Sequence, residues 1–300
     1  GGTLYVDSGR PTAQHIQETV RNLREIAPTH YANVPAGFGL LLPYLENDTQ
    51  LREKFFSRLK LIFYAGASLP QDLWDRLEKV SLDSIGSQIT MVSAWGSTET
   101  APLATGVHWP IKKAGVIGLP VPGTEIKMVP NEGKFELRVR GPNVTPGYLN
   151  QPEKTAEAFD EEGFYRIGDA GRLADLKDPE KGLIFDGRVA ENFKLSSGTF
   201  VHVSNLRTTV LAAATPVLKD LVVAGHDRDF VCVMAWPDLE GCRRVLGDKT
   251  CEIDALIKKS KIVQYLRSAL KTYNSENPGS STRISRIILL VDEPDIDANE

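Results

Sequence analysis

Apolar residues recur along the first third of the chain in alternating textures. In TAQHIQETVRNLREIAP, Ile16, Val20 and Leu23 fall on one face at the helical period and Pro28 ends the run, so the pattern predicts a helix. A second helix is expected from Pro35, whose fixed backbone suits a first turn, through FGLLLPYLEN, with a disturbance at Pro43. LKLIFYAG reads as a buried strand, LPQDLWDRLEKV as a helix with Leu73, Leu77 and Val80 inward, and SQITMVSAW as another buried strand. Strand, helix, strand favours a parallel pair. The loops that follow, AGAS at 65–68 and WGSTE at 95–99, then emerge at one sheet end, where open α/β sheets bind ligands.

The texture changes near residue 115 to short alternating runs. TEIKMV and KFELRVRG joined by PNEG predict a β hairpin, and further strands are expected in GFYRIGDAGRLADL and GLIFDGRV. After residue 190 a mixed unit is expected: a helix near 204–214, strands in LKDLVVAG and DFVCVMAW, a helix within EIDALIKKSKIVQYLRSALKTY and a strand in RISRIILLV, with NSENPGSS at 274–281 as a loop. The fold class is therefore α/β: a parallel-sheet subdomain over 1–114, a β-rich subdomain over 115–189, and a small α+β domain over 190–300.

Composition narrows the function classes. The 300 residues are 41% hydrophobic with a net charge of −4, enough for a large core and two domains. Interspersed charge without a basic stripe argues against nucleic acid, and no apolar run approaches the length of a membrane span. The opening GGTLYVDSGRP lacks the texture of a signal peptide. Cys232, Cys242 and Cys251, odd in number and without CxxC spacing, read as packing residues in a reducing, cytoplasmic setting. The five histidines are scattered and offer no helical metal-ligand pair.

Three segments carry candidate chemistry. In SAWGSTETAPLAT, Trp95 offers an aromatic face, Thr98 a donor for an anionic oxygen, and Glu99 a carboxylate for a hard cation such as Mg²⁺, which together describe a nucleotide site. A helix cap with Ser97 or Thr98 at the N-cap explains the same residues equally well. In FYRIGDAGRL, Asp169 can accept both hydroxyls of a ribose, or simply stabilise a turn. In FDGRVAENFKLSSGTFV, Arg188 can bind phosphate or ribose oxygens, or pair at the surface, and the glycines suit a hinge.

The order WGSTE, GPNVTPGYLNQPEKTAEAF, YRIGD, DGRVAENFKLSSG resembles the adenylate-forming superfamily of acyl-CoA synthetases, luciferases and peptide-synthetase adenylation domains. GGTLYVDSGRP, VRNLREIAPTHYANVP and FKLSSGTFVHVSNLRT look most like its feruloyl-CoA synthase branch, which activates hydroxycinnamate-type acids. The resemblance implies ATP-dependent formation of an acyl-adenylate and transfer to CoA, with ATP/AMP, Mg²⁺ and CoA bound. It makes 1–189 the C-terminal part of a large adenylation domain and 190–300 a truncated, mobile C-terminal domain. By motif position, Trp95 packs on adenine with Gly96 beside it, Thr98 contacts the AMP phosphate, and Glu99 holds Mg²⁺. The resemblance makes Thr98 and Glu99 the catalytic pair. Gly66 and Ala67 lie along adenine and the acyl group, Asp169 takes the ribose, and Arg188 assists at ribose or phosphate. Pro102 and Leu103 line the acyl pocket, Lys194 and Gly198 serve the CoA step, and Ala190 is the hinge.

The sequence departs from the family in places. Trp95 replaces the usual tyrosine, keeping the face and losing the hydroxyl, and Ala190 stands where aspartate or lysine is usual. The loop holding Lys194 and Gly198 is one residue longer than in many relatives. The family's phosphate loop and its terminal lysine have no counterpart between Gly1 and the closing DIDANE, so the resemblance implies a fragment that forms no acyl-adenylate unaided. Two alternatives stay open: an adenylating enzyme that uses another acid or a carrier-protein thiol, and a non-catalytic nucleotide-binding module.

Overall fold

The computed structural model describes residues 2–12, 14–67, 69–131, 133–248, 250 and 252–292. Ser68 of the AGAS loop, Glu132 of the hairpin turn, Cys251 and the DIDANE end lie outside the described residues. The chain divides into two compact units, 1–186 and 187–300.

In the first unit the stripe Ile16, Val20 and Leu23 becomes the buried face of α1 (Ile16–Glu25). After β1 (His30–Asn33), Pro35 takes the first position of α2 (Pro35–Asn47), which carries Pro43 inside it. Asp48 then accepts the Leu51 N–H and starts α3 (Thr49–Phe56), leading to β2 (Leu61–Tyr64). Next, α4 (Gln71–Ile85) buries Leu73, Trp74, Leu77 and Val80 and ends at Gly86 in the left-handed region, before β3 (Thr90–Trp95). The three strands pair parallel, His30 with Leu61 and Leu61 with Thr90. Their side chains share a core with the helices, including Leu42, Phe55, Ile62, Trp74 and Met91.

The remaining strands extend the same sheet. They are β4 (Thr105–Gly106), β5 (Val116–Pro120), β6 (Glu125–Asn131), β7 (Lys134–Arg140), β8 (Tyr165–Leu173) and β9 (Leu183–Arg188), with α5 (Pro152–Ala158) between β7 and β8. The nine-stranded order is β1-β2-β3-β4-β5-β9-β8-β7-β6, and the expected hairpin is β6–β7 in antiparallel register. A second core forms here from Trp95, Ala104, Ile117, Leu137, Val139, Tyr165, Ile167 and Leu183. The change of pattern near residue 115 is thus a change from parallel to antiparallel pairing within one sheet.

The second unit contains a short hairpin, β10 (Phe193–Lys194) and β11 (Phe200–Val201), then α6 (Val203–Ala214), β12 (Leu218–Ala224), β13 (Val231–Pro237), α7 (Leu239–Leu246), α8 (Ile253–Leu256), α9 (Ser260–Glu276) and β14 (Ile284–Leu289). Its sheet runs β12-β13-β14, antiparallel then parallel. The single helix expected in 252–273 is two, because Lys259 leaves helical geometry before α9. The loop expected at 274–281 begins later, since α9 runs to Glu276. Asn274 earns its helical place by bonding both the N–H and C=O of Ile284. Cys242 is buried, and burial pushes its thiol up to about 11, as expected of a packing cysteine. Among the described residues no helix is long and apolar enough to cross a membrane.

One ionic cluster fixes the turn that feeds β8. The fully buried Asp160 carboxylate meets Lys127 Nζ at 2.6 Å and Arg138 Nη1 at 3.0 Å. It also accepts the N–H groups of Glu162 and Phe164. Burial opposes its ionisation, yet Lys127, the Phe164 N–H and Arg138 together hold its pKa well below the usual carboxylate range. Removing one partner of such a cluster strands the others, so Asp160→Ala costs about 3–5 kcal/mol in urea unfolding at neutral pH. Because folding depresses this pKa, the stabilisation is present above the unfolded value of about 3.9 and disappears as pH falls through the folded one. The gap between wild type and variant closes in acid.

Candidate functional site

Parallel pairing puts the ends of β1, β2 and β3 at one edge. Gly66, just past β2, has φ +87°, a conformation that favours glycine, and both Gly66 and Ala67 are exposed. The nearest atom to a Cβ placed on Gly66 is Val34 Cγ1 at 3.6 Å, from the residue after β1. Small side chains therefore leave open space at this edge.

The loop after β3 is built tightly. A Cβ on Gly96 would lie 2.4 Å from the Pro102 carbonyl oxygen and 2.6 Å from Thr100 Oγ1, so only glycine fits. Thr98–Thr100 form a single 3-10 turn with Ser97 in the cap position, and the Thr100 hydroxyl accepts the Ser97 N–H and donates to the Ser97 C=O. The cap and site readings thus describe one turn, since the same geometry leaves Thr98 exposed and Glu99 half-buried. Asn143 closes the loop from outside: its amide donates to the carbonyls of Thr100 and Leu103, at 3.1 and 2.8 Å, while its own oxygen accepts from Thr124. Pro102 and Leu103 remain exposed on the loop's far limb.

Glu99 has a partner to which the sequence reading gave no role. The Tyr148 hydroxyl donates to Glu99 Oε1 at 2.9 Å and lies 3.2 Å from the Tyr165 hydroxyl. Glu99's own backbone N–H chiefly, then Ser97, with Tyr148 adding, hold its pKa below the ordinary glutamate value. Burial first, then Tyr148 and Glu99, push the Tyr165 phenol above its usual range. Tyr148 sits 49 residues beyond Glu99, inside the segment GPNVTPGYLNQPEKTAEAF that carries the resemblance, but no role was assigned to it there.

Asp169 occupies the middle of β8 and is buried. The Trp95 indole donates to Asp169 Oδ2 at 2.7 Å, so two expected site residues meet directly across 74 positions. The expected open face of Trp95 is largely covered, because its ring packs in the second core. Gly66 and Ala67 share the strand-end edge with the loop holding Gly96, Thr98, Glu99, Pro102 and Leu103.

In the second unit, Arg188 is exposed at the end of β9, and Ala190 is exposed in the turn closed by Asn192 N–H to Val189 C=O. Lys194 is exposed on β10 with its ammonium 5.9 Å from the Phe200 ring centre. Gly198 turns the β10–β11 loop at φ +79°, with open space around it.

A Mg²⁺ ion fits the carboxylate present. Mg²⁺ takes one or two carboxylates and completes its shell with phosphates and water, and Glu99 is ionised and half-exposed, with Tyr148 donating to its Oε1. Among the described residues there is no cluster of three or more His, Cys, Asp or Glu that would form an all-protein cage. Gly96→Ala tests the loop itself: forcing the Pro102 carbonyl aside lowers stability by about 1–3 kcal/mol in urea unfolding.

Residues 1–149 match the family model described as AMP-binding enzyme. The chain is 25% identical over 246 residues to the probable acyl-activating enzyme 16 of Arabidopsis thaliana, covering 76% of this chain and 32% of that protein. It is 26% identical over 220 residues to the long-chain-fatty-acid–[acyl-carrier-protein] ligase AEE15 of the same plant, covering 69% and 28%. The chain thus spans about a third of the length of these curated relatives. The crystal structure of the anthranilate CoA ligase AuaEII with anthranoyl-AMP superposes with a TM-score of 0.68 at 18% identity, over 95% of this chain and 50% of that one. Residues 1–149 thus resemble the AMP-binding enzyme family, and the α/β architecture of the chain matches the fold of the anthranilate CoA ligase structure.

Proposed function

We propose that this chain is the adenylate-holding part of an AMP-forming acid–thiol ligase acting on an aromatic acid of the hydroxycinnamate type, with CoA as acceptor. The observation that carries the reading is the loop Gly96–Leu103, pinned at the ends of parallel strands and joined through Trp95 to the buried Asp169 carboxylate. A carboxylate attacking the α-phosphate of ATP brings like charges together, and the subsequent thiol attack on the acyl carbon releases AMP. Both steps need fixed orientation and charge neutralisation. Asp169 accepts ribose hydroxyls, and the exposed Thr98 hydroxyl donates to the AMP phosphate. Glu99, ionised and steered by Tyr148, would hold Mg²⁺, which supplies positive charge beside the phosphates. Gly66 and Ala67 leave room for adenine and the acyl group, and Pro102 and Leu103 are the acyl-facing residues.

In the second unit we assign Arg188 to ribose or phosphate, Lys194 and Gly198 to the thiol step, and Ala190 to the hinge. The domain assignment follows the same reading, with 1–189 forming the adenylating part and 190–300 the smaller one. The aromatic substrate is supported by the anthranoyl-AMP complex of the structural relative. A second reading, in which a carrier-protein thiol replaces CoA, is favoured by the relative named as an acyl-carrier-protein ligase.

Pyrophosphate exchange by the intact protein with ferulate, cinnamate, benzoate and fatty acids, followed by thioester assay with CoA and with carrier proteins, separates these readings. Ferulate-dependent exchange and feruloyl-CoA are the expected results; exchange with fatty acids alone, or thioester on carriers alone, overturns the corresponding part. Glu99→Gln lowers exchange about 100-fold. Tyr148→Phe removes a donor from Glu99 and so raises its pKa, which weakens Mn²⁺ binding seen by electron paramagnetic resonance more at pH 5 than at pH 8. Equal weakening at both pH values would show that Tyr148 does not act through that carboxylate.

A further inference from the structure

An indole offers a nucleotide two things, a ring face and an N–H. Trp95 is only 7% exposed, and its ring packs with Ile117, Leu137, Tyr165 and Ile167. A face covered to that degree presents a base with little more than a rim. The N–H is committed as well: it donates at 2.7 Å to Asp169 Oδ2, the length of a charge-assisted bond, and both residues are 7% exposed.

The bond also crosses the sheet. Between β3, which ends at Trp95, and β8, which carries Asp169, the order β3-β4-β5-β9-β8 interposes three strands. A flat sheet would separate β3 from β8 by about 19 Å at normal strand spacing. The sheet therefore curls until the two meet, and Trp95 is the side chain through which they meet. Asp169 accepts this bond from a residue directly joined to Gly96, the start of the candidate phosphate and metal loop.

We propose that Trp95 is a positioning residue for the ribose: its indole N–H fixes the rotation of the Asp169 carboxylate and so sets the preference for a nucleotide bearing a free 2′-hydroxyl. The inference rests on the reading of Asp169 as a ribose ligand and changes the part played by Trp95, which acts on the sugar through Asp169 more than on the base by stacking. An indole N–H is donor only, so it meets the carboxylate in a single sense and leaves that group's remaining acceptor capacity directed elsewhere.

Calorimetry on the intact protein with AMP and 2′-deoxy-AMP tests this in wild type, Trp95→Phe, Asp169→Asn and the double variant. The expected results are a wild-type preference for AMP that Asp169→Asn largely removes, that Trp95→Phe lowers about 3- to 10-fold, and that falls no further in the double variant. Trp95→Phe weakening both ligands by one factor, with the preference unchanged, overturns the proposal and leaves stacking as the role. An unchanged preference in Asp169→Asn sinks the ribose reading itself, and this inference with it. Should Trp95→Phe fail to fold, 3-benzothienylalanine at position 95 keeps the indole shape and replaces the N–H by sulfur. It must lower the preference likewise, and a wild-type preference there overturns the proposal.

Discussion

The hydrogen bond from the Trp95 indole to the Asp169 carboxylate is the contact on which the first unit's site depends. Each group alone would be a liability where it lies. A buried carboxylate without a donor loses its hydration, and an indole N–H in an apolar cluster wastes the one polar atom of its ring. Joined, they satisfy the indole N–H and one carboxylate oxygen, and they tie the end of the parallel strands to the antiparallel half of the sheet. The second core, in which Trp95 packs with residues of β5, β7, β8 and β9, supplies the apolar contact that keeps the pair in register.

The same division of labour recurs around the loop. The parallel half presents Gly96, Thr98 and Glu99, and the antiparallel half holds them: Asn143 grips the carbonyls of Thr100 and Leu103, Thr145 N–H bonds the Glu99 carbonyl, and Tyr148 bonds its carboxylate. The residues that present are dense in hydroxyls and acid and stand together in sequence. Those that hold also stand together, within residues 143–148, and are individually ordinary. A Gly96 that admits no side chain is the steric counterpart of these polar ties.

This explains which parts could be read from the chain. The β2–α4–β3 unit and the β6–β7 hairpin are legible because long apolar faces repeat at one clear period. By contrast β1 is four residues with alternating exposed and half-buried positions, and α5 buries nothing, so neither carries a hydrophobic signature. The helix α3 follows α2 after a single residue, and its apolar residues merge with the preceding run. Candidate site residues were visible as chemistry but not as geometry. Trp95 promised an aromatic face and turned out to be mostly covered, with its N–H aimed at Asp169. Tyr148 and Asn143 lay inside the quoted segment GPNVTPGYLNQPEKTAEAF without an assigned role, since what each does is defined by a partner 40 or more residues away.

Those separations have a further meaning for how the chain reaches its native state. The loop's ties close over 74 residues from Trp95 to Asp169, 49 from Glu99 to Tyr148 and 43 from Thr100 to Asn143. Each such closure demands chain entropy before any contact returns it, whereas the helices around β2 and β3 close over a few residues. The loop can take its shape only when the strands after residue 115 are paired. Local helical order comes cheaply and early in this unit, and the competence of its candidate site is acquired last.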